Sequence, residues 1–291
     1  MRKPQYHVSG IDLMSMCGVA FDKKYLQRLP EPRSVAMVVG SAVDRAVSAN
    51  MDKMVEAGSL LPAEQVRDVA RDALVKEWSD GTAIQVDGDA VAYTNGEPVV
   101  ATEEDQEEGW TAAMGDAIDA SVDLATYHHR EVAPIIRPTH VQEKWVLDVP
   151  ELDIQVAGAI DIREALQSVR DTKTSAKSPV KTKADVSLQL SMYAAAVRLR
   201  EGQFPKLVQL DVMVRTPRRK DLKYVPLSST RGEADMPHLL ARIEAAAATV
   251  NSGVFTPAPI DSWKCSKKYC GFWGGCRYAR RPVSVAINGM R

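Results

Sequence analysis

The 291-residue chain has no run of about 20 apolar residues without a charge, so nothing in it has the makings of a membrane-spanning helix. It has no excess of either charge: 37 Lys and Arg face 38 Asp and Glu, a formal net charge of −1. That excludes a uniformly basic nucleic-acid coat and leaves only a local basic patch for such a partner. With 45% apolar and 26% charged residues it lacks the composition of a disordered chain. There is no collagen-like Pro/Gly pattern and no internal repeat. The N-terminal stretch MRKPQYHVSGIDLMS has no apolar core and no small-residue cleavage site. No signal peptide is therefore expected, and the expected location is the cytoplasm. No Walker A pattern occurs, so ATP is not expected. Cysteine is scarce: Cys17 stands alone, and Cys265, Cys270 and Cys276 crowd the end with no Cys-x-x-Cys pair. In a reducing compartment so few thiols argue against structural disulfides and for metal binding or catalysis.

What is present organises into three parts of one expected domain over 1–291: a helical part to 135, a core over 136–260 and a cysteine-rich tail over 261–291. Residues 36–58 carry apolar residues at helical spacing and end on a Gly. Pro62 stands where the first position of a second helix is expected, continuing to about Trp78. Residues 79–108 hold SDG, DGD and NGE turn signals and the acidic run Glu103 to Glu108, which implies an exposed hairpin or loop. A long amphipathic helix is expected from about Gln106 to Val132, with His128 and His129 as surface or packing residues. From 140 the period changes. HVQEKWVLDV, IQVAGAIDI and LQSVRDTKT are expected strands, the last two an antiparallel hairpin. Asp185 is the expected N-cap of a helix that Gly202 ends. LVQLDVMVRT and YVPL follow as strands around the basic turn RTPRRKDLK, and a final helix covers 232–253. The fold class implied is α/β: a mixed sheet flanked by helices.

The chemistry concentrates in GAIDIREALQSVRDTKT, 158–174. Asp171 and Lys173 are two apart on a strand and share a face. A short hairpin brings Asp161 beside Asp171. Two close carboxylates repel unless neutralised, and a hard divalent cation such as Mg²⁺ or Mn²⁺ does this with oxygen ligands. The Thr172 carbonyl is a further candidate ligand. Glu143, on the preceding strand, is expected to face the same site. Lys173 would position a water and stabilise developing charge.

These motifs resemble the RecB-like branch of the PD-(D/E)xK nuclease superfamily. Its pattern is a Gly-x-x-Asp strand, an Asp-x-Lys strand, then a Gln-x-x-x-Tyr helix. Here stand Gly158-Ala-Ile-Asp161, Asp171-Thr-Lys173 and Gln189-Leu-Ser-Met-Tyr193. The resemblance implies a restriction-endonuclease-like fold and metal-dependent hydrolysis of DNA, by exonuclease action on single strands or duplex ends. It implies that Gln189 and Tyr193 orient Lys173 or touch the DNA. The family's upstream Gly-x-x-x-His matches Gly40-Ser-Ala-Val-Asp44, with Asp44 in place of the metal-binding His.

Three clustered cysteines plus one remote match the four thiolates of a [4Fe–4S] cluster, with zinc or ordinary buried thiols as alternatives. The glycines at 271, 274 and 275 would let the backbone wrap closely, and Trp263, Phe272 and Trp273 would shield the site. The same branch includes members with one cysteine before the nuclease core and three after it, joined by an iron–sulfur cluster. That resemblance implies ligands Cys17, Cys265, Cys270 and Cys276, and a tail stapled to the N-terminal arm. Lys177, Lys181 and Lys183, then Arg215, Arg218, Arg219, Lys220 and Lys223, then Arg277, Arg280 and Arg281 are candidate phosphate contacts. The expected partners are DNA and a protein of phage recombination, repair or CRISPR adaptation. The alternative is a non-catalytic DNA-binding or assembly subunit that keeps fold and cluster.

Overall fold

The structure, a computed structural model, describes residues 3–80, 84–86, 89–94, 97–99 and 104–279. Arg280, Arg281, Glu103 and the glycines of the three expected turns lie outside the described residues, as do the side chains of the rest of the acidic run.

The chain opens with strand β1 (Gln5–His7), helix α1 (Val8–Met16) and a short helix α2 (Gly18–Phe21). Strand β2 (Arg33–Ser34) leads into helix α3 (Val35–Ala57). The Ser34 hydroxyl accepts from the Met37 amide and closes the first turn of α3. Gly58 ends it at φ 68°, a conformation open to glycine without strain. Helix α4 (Ala63–Ser79) starts one residue later than expected, with Pro62 as its cap. Short strands β3 (Ile84–Val86), β4 (Asp89–Thr94) and β5 (Glu97–Val99) form a small sheet with β2. Helix α5 (Glu104–Tyr127) follows, continued by a wide turn at His128–Val132.

The main sheet holds β1, β6 (His140–Val149), β7 (Ile154–Glu164), β8 (Ser168–Ser175), β9 (Leu207–Arg215) and β10 (Leu222–Ser229). Helix α6 (Leu188–Glu201) joins β8 to β9, and α7 (Met236–Ser252) follows β10. The α6 N-cap is Ser187, not Asp185. The buried Arg231 guanidinium donates to the carbonyls of Ala184, Asp185 and Ser187, and so holds 184–187 outside the helix. The expected strands 140–149 and 154–162 stand as read, and the β7–β8 hairpin is antiparallel. Among the described residues no helix is long and apolar enough to cross a membrane.

Two features of β7 place the site. First, β6 pairs along nearly its whole length on one edge, while β1 and β8 share the other. The β7–β8 ladder has only the rungs Ile162–Arg170, Arg163–Val169 and Glu164–Ser168. Beyond Ile162 the two strands part and β1 takes over the edge of β7. Asp161 and Asp171 are the first residues inside that fork. Second, Ile160 and Ile162 are two apart yet enter opposite core clusters. Ile160 packs with Trp145, Leu190 and Tyr193, and Ile162 with Val38, Val43 and Met213. A regular strand would put both on one face. The switch falls at Asp161 and, on β6, at Gln142, whose φ is 47°.

Strand β9 is buried on both faces. Val208, Leu210, Val212 and Val214 join the α6–α7 side, and Met213 joins the α3–α5 side. Each such side chain contributes about 1.5–3 kcal/mol. Asp211, fully buried on β9, accepts from Tyr224 Oη at 2.6 Å and from Gln209 Nε2 at 2.5 Å. Arg170 Nη1 lies 3.3 Å from it. His128 is buried nearby, and burial pushes its imidazole down to about 4, despite Asp211, which acts the other way. The neutral ring is the form the fold holds, so this contribution is present above about pH 6.5 and is lost as pH falls toward 4. Between pH 7 and 4.5 we expect about 2–3 kcal/mol of this stability to disappear. Denaturant unfolding at both pH values checks this: His128→Leu should narrow its deficit against wild type at pH 4.5. An equal deficit at both would remove the assignment.

Candidate active site

The fork brings together residues from four elements. Lys173 and Asp171, on one face of β8, are paired: Nζ lies 2.9 Å from Oδ1 and 2.8 Å from Oδ2. Asp161 of β7 accepts from the Thr172 amide at 3.2 Å and from the Tyr193 hydroxyl at 3.2 Å. Gln189 Nε2 donates to that hydroxyl at 2.8 Å, one helical turn away on α6. Gln189 and Tyr193 thus form a relay that orients Asp161, not Lys173. In extended backbone a residue's amide and carbonyl point to the same edge, so the Thr172 carbonyl also faces the fork. Helix α3 supplies Asp44, one position beyond its buried stripe of Val38, Val39, Ala42 and Val43. Gly40, one turn earlier, lets α3 approach β8 closely: a Cβ there would lie 3.3 Å from Thr174 Oγ1.

Electrostatics tie the group into one unit. Burial raises Asp161 well above the usual carboxylate range, and the charges of Asp171 and Asp44 push it the same way. Burial also raises Asp171 and Asp44, with Lys173 opposing in both. For Lys173, burial alone would favour the neutral amine. The three carboxylates outweigh it and raise the pKa, so the side chain stays an ammonium. Crowded carboxylates that cannot all stay charged are what a divalent cation relieves. The donor set is entirely oxygen, as Mg²⁺ and Mn²⁺ prefer. Asp44, Asp161, Asp171 and the Thr172 carbonyl are therefore chemically fit to hold one. Among the described residues no three His, Cys, Asp or Glu side chains already stand as a closed metal-holding group.

Glu143 is not part of this cluster, against expectation. Its carboxylate pairs with Arg163 at 2.6 Å and with Arg200 on the α6 side of the sheet. The face switch on β6 is the reason: Gln142, not Glu143, turns toward α3. Gln142 Nε2 donates to Ser48 Oγ at 3.1 Å and lies 3.4 Å from the Asp44 carboxylate. The only sequence signal for Gln142 was its adjacency to Glu143.

Two clefts reach the cluster. One, of about 450 Å³, is lined by Ser9, Asp12, Lys173, Lys183 and Gln189. The other, of about 440 Å³, is lined by Ser41, Asp44, Arg45, Ser48 and Gln142. Of the expected basic contacts, Lys183 lines the first cleft, and Lys177 and Lys181 are exposed on the same loop. Arg218, Arg219, Lys223 and Arg277 are also exposed. Arg215 is committed to Asp123 at 2.9 Å, and Lys220 lies 3.8 Å from Asp119.

The four cysteines form no disulfide among the described residues and line one pocket, with Phe272, Ala20 and Pro257. Burial raises the Cys270 thiol, and the nearby Cys17 and Cys276 add to this. Four thiols gathered from both ends of the chain fit a four-thiolate centre. Of the three expected shielding aromatics, Phe272 is buried and lines the pocket, Trp273 is half-buried and Trp263 is 62% exposed. Close wrapping is confined to Gly271, where a Cβ would meet the Pro32 carbonyl oxygen at 2.7 Å, whereas Gly274 and Gly275 have open space.

The sequence pattern of the PD-(D/E)XK nuclease superfamily matches residues 7–277. No curated protein matches the chain. Among solved structures, it is similar to a protein from Eubacterium rectale provisionally assigned as an exonuclease. The TM-score is 0.53 at 13% identity, over 97% of this chain and 92% of that one, which shows a shared fold. A second, SSO0001, gives a TM-score of 0.35 at 13% identity over 94% of this chain and 96% of that one, too loose for inference. The family match spans α1, the fork and the cysteine pocket alike, and the chain belongs to the PD-(D/E)XK nuclease superfamily.

Proposed function

We propose that the chain is a Mg²⁺- or Mn²⁺-dependent deoxyribonuclease that degrades DNA from its ends, in recombination, repair or end processing. The observation that carries this is the convergence of Asp161, Asp171 and Lys173 in the β7–β8 fork, with Asp44 alongside. Asp44, Asp161, Asp171 and the Thr172 carbonyl would hold the cation. When bound, it supplies positive charge at the phosphate and lowers the pKa of a water.

The chain's own groups do the rest. Tyr193 and Gln189 fix the rotamer of Asp161. Lys173, an ammonium, donates a hydrogen bond to the attacking water or to a non-bridging phosphate oxygen, where charge accumulates in the transition state. Its raised pKa suits a donor and not a general base. Lys183, Lys177 and Lys181 neutralise the phosphates that flank the scissile one.

The four cysteines are, in this proposal, ligands of a [4Fe–4S] cluster with a structural task. It ties the start of the chain to the tail across about 250 residues of loop.

End dependence is checked with covalently closed circular DNA and the same DNA linearised. The linear form should be degraded to small products while the circle persists. Cutting of both at similar rates would replace the exonuclease reading with an endonuclease.

A further inference from the structure

We propose that Trp263 and Tyr269, with Lys268, form a platform on which unpaired bases of single-stranded DNA stack. This names the substrate form for the nuclease reading above and rests on it. Trp263 is 62% exposed and Tyr269 is 48% exposed. Their ring centroids are 5.1 Å apart at 88°, edge to face. In that edge-to-face arrangement each ring covers at most one face of the other. Lys268 Nζ lies 5.6 Å from the Tyr269 centroid.

The formal charge within the loop itself is of one sign. From Trp263 to Tyr278 the sequence holds Lys264, Lys267, Lys268 and Arg277 and no Asp or Glu. In a protein of net charge −1 this stretch is suited to a polyanion. Aromatic faces beside cations match a single strand, which offers both phosphates and base faces. A duplex keeps its bases stacked on each other and offers only the phosphates.

The platform is also held in place. Ser266 Oγ donates to the Trp263 carbonyl at 2.8 Å. The Tyr269 and Cys270 amides donate to the Ser266 carbonyl at 3.1 Å and 3.0 Å. Gln85 Nε2 donates to the Lys267 carbonyl at 2.7 Å, which fastens the loop to β3. Cys265, between Trp263 and Tyr269, and Cys270, next to Tyr269, line the cysteine pocket and so anchor the platform there.

The test measures binding in EDTA, where the nuclease is idle, by anisotropy of a labelled oligothymidylate and of a blunt duplex hairpin closed by a non-nucleotide linker. Trp263→Ala/Tyr269→Ala should weaken the oligothymidylate by about tenfold or more. Trp263→Phe/Tyr269→Phe, which keeps stacking faces, should stay within about twofold of wild type. Hairpin binding should be equal in all three proteins. Equal oligothymidylate affinity in all three, no binding of it by the wild type, or a matching loss on the hairpin would overturn the platform. Because nothing is cleaved, these results are separate from success or failure of the nuclease reading.

Discussion

Asp161→Asn is expected to reduce DNA cleavage to near background and to raise the thermal midpoint of the metal-free protein. Both effects come from one cause. The Asp161 carboxyl is buried beside Asp171 and Asp44, and burial and both charges push its pKa up. Holding three carboxylates together costs stability that a bound cation would return. Asn removes that cost and keeps an acceptor for the Tyr193 hydroxyl. It gives up the hydrogen bond from the Thr172 amide, worth about 1 kcal/mol. Repulsion and desolvation of a buried carboxylate exceed that, so the balance favours the variant. The midpoint in EDTA should rise by about 2–4 °C for each kcal/mol gained. Mg²⁺ should raise the midpoint of the wild type but much less that of the variant, because only the wild type binds it well. Activity should fall by about 10²–10³-fold or more. Thermal melts with and without Mg²⁺, run beside a cleavage assay, give all three readings. A variant less stable in EDTA, or one that still gains fully from Mg²⁺, would contradict the assignment of Asp161 as a ligand.

If the four cysteines hold the proposed cluster, Cys17→Ala is expected to remove its iron and a large part of the stability. Protein purified without oxygen should hold about four irons per chain, and the variant few or none. Cys17 lies at the α1–α2 junction, while its three companions lie beyond α7. The link therefore closes most of the chain. In a chain-entropy model a cross-link over so long a loop is worth about 5 kcal/mol. The midpoint should fall by about 10 °C or more. Metal analysis decides the chemistry: zinc in place of iron would overturn the cluster but keep the staple. A metal-free wild type with an unchanged midpoint in Cys17→Ala would remove both.

Legibility from sequence followed the range of the interactions. Asp161, Asp171 and Lys173 could be placed because two adjacent strands and a short connection determine their meeting. Gln189 and Tyr193 could be paired because i and i+4 share a helix face, although their target proved to be Asp161. Glu143 was misplaced because a one-residue switch of face on β6 and β7 leaves no mark in the alternation of HVQEKWVLDV. The helix cap moved from Asp185 to Ser187 because Arg231, distant in sequence, holds the carbonyls between them. The gathering of the four cysteines was suggested by their number and the clustering of three of them, and the family resemblance pointed the same way. Trp263 was assigned to shielding because its nearness to Cys265 in sequence says nothing about which way an irregular loop turns it.

The central claim is a lysine-assisted, metal-dependent hydrolysis in the β7–β8 fork. The measurement that tests it most directly is cleavage of end-labelled single- and double-stranded DNA in Mg²⁺, Mn²⁺ or EDTA, by wild type and by Lys173→Ala. Degradation is expected with Mg²⁺ or Mn²⁺, none in EDTA, and a loss of about 10²–10³-fold or more in Lys173→Ala. No cleavage with either metal by a folded protein that binds DNA would contradict it and leave a non-catalytic DNA-binding subunit.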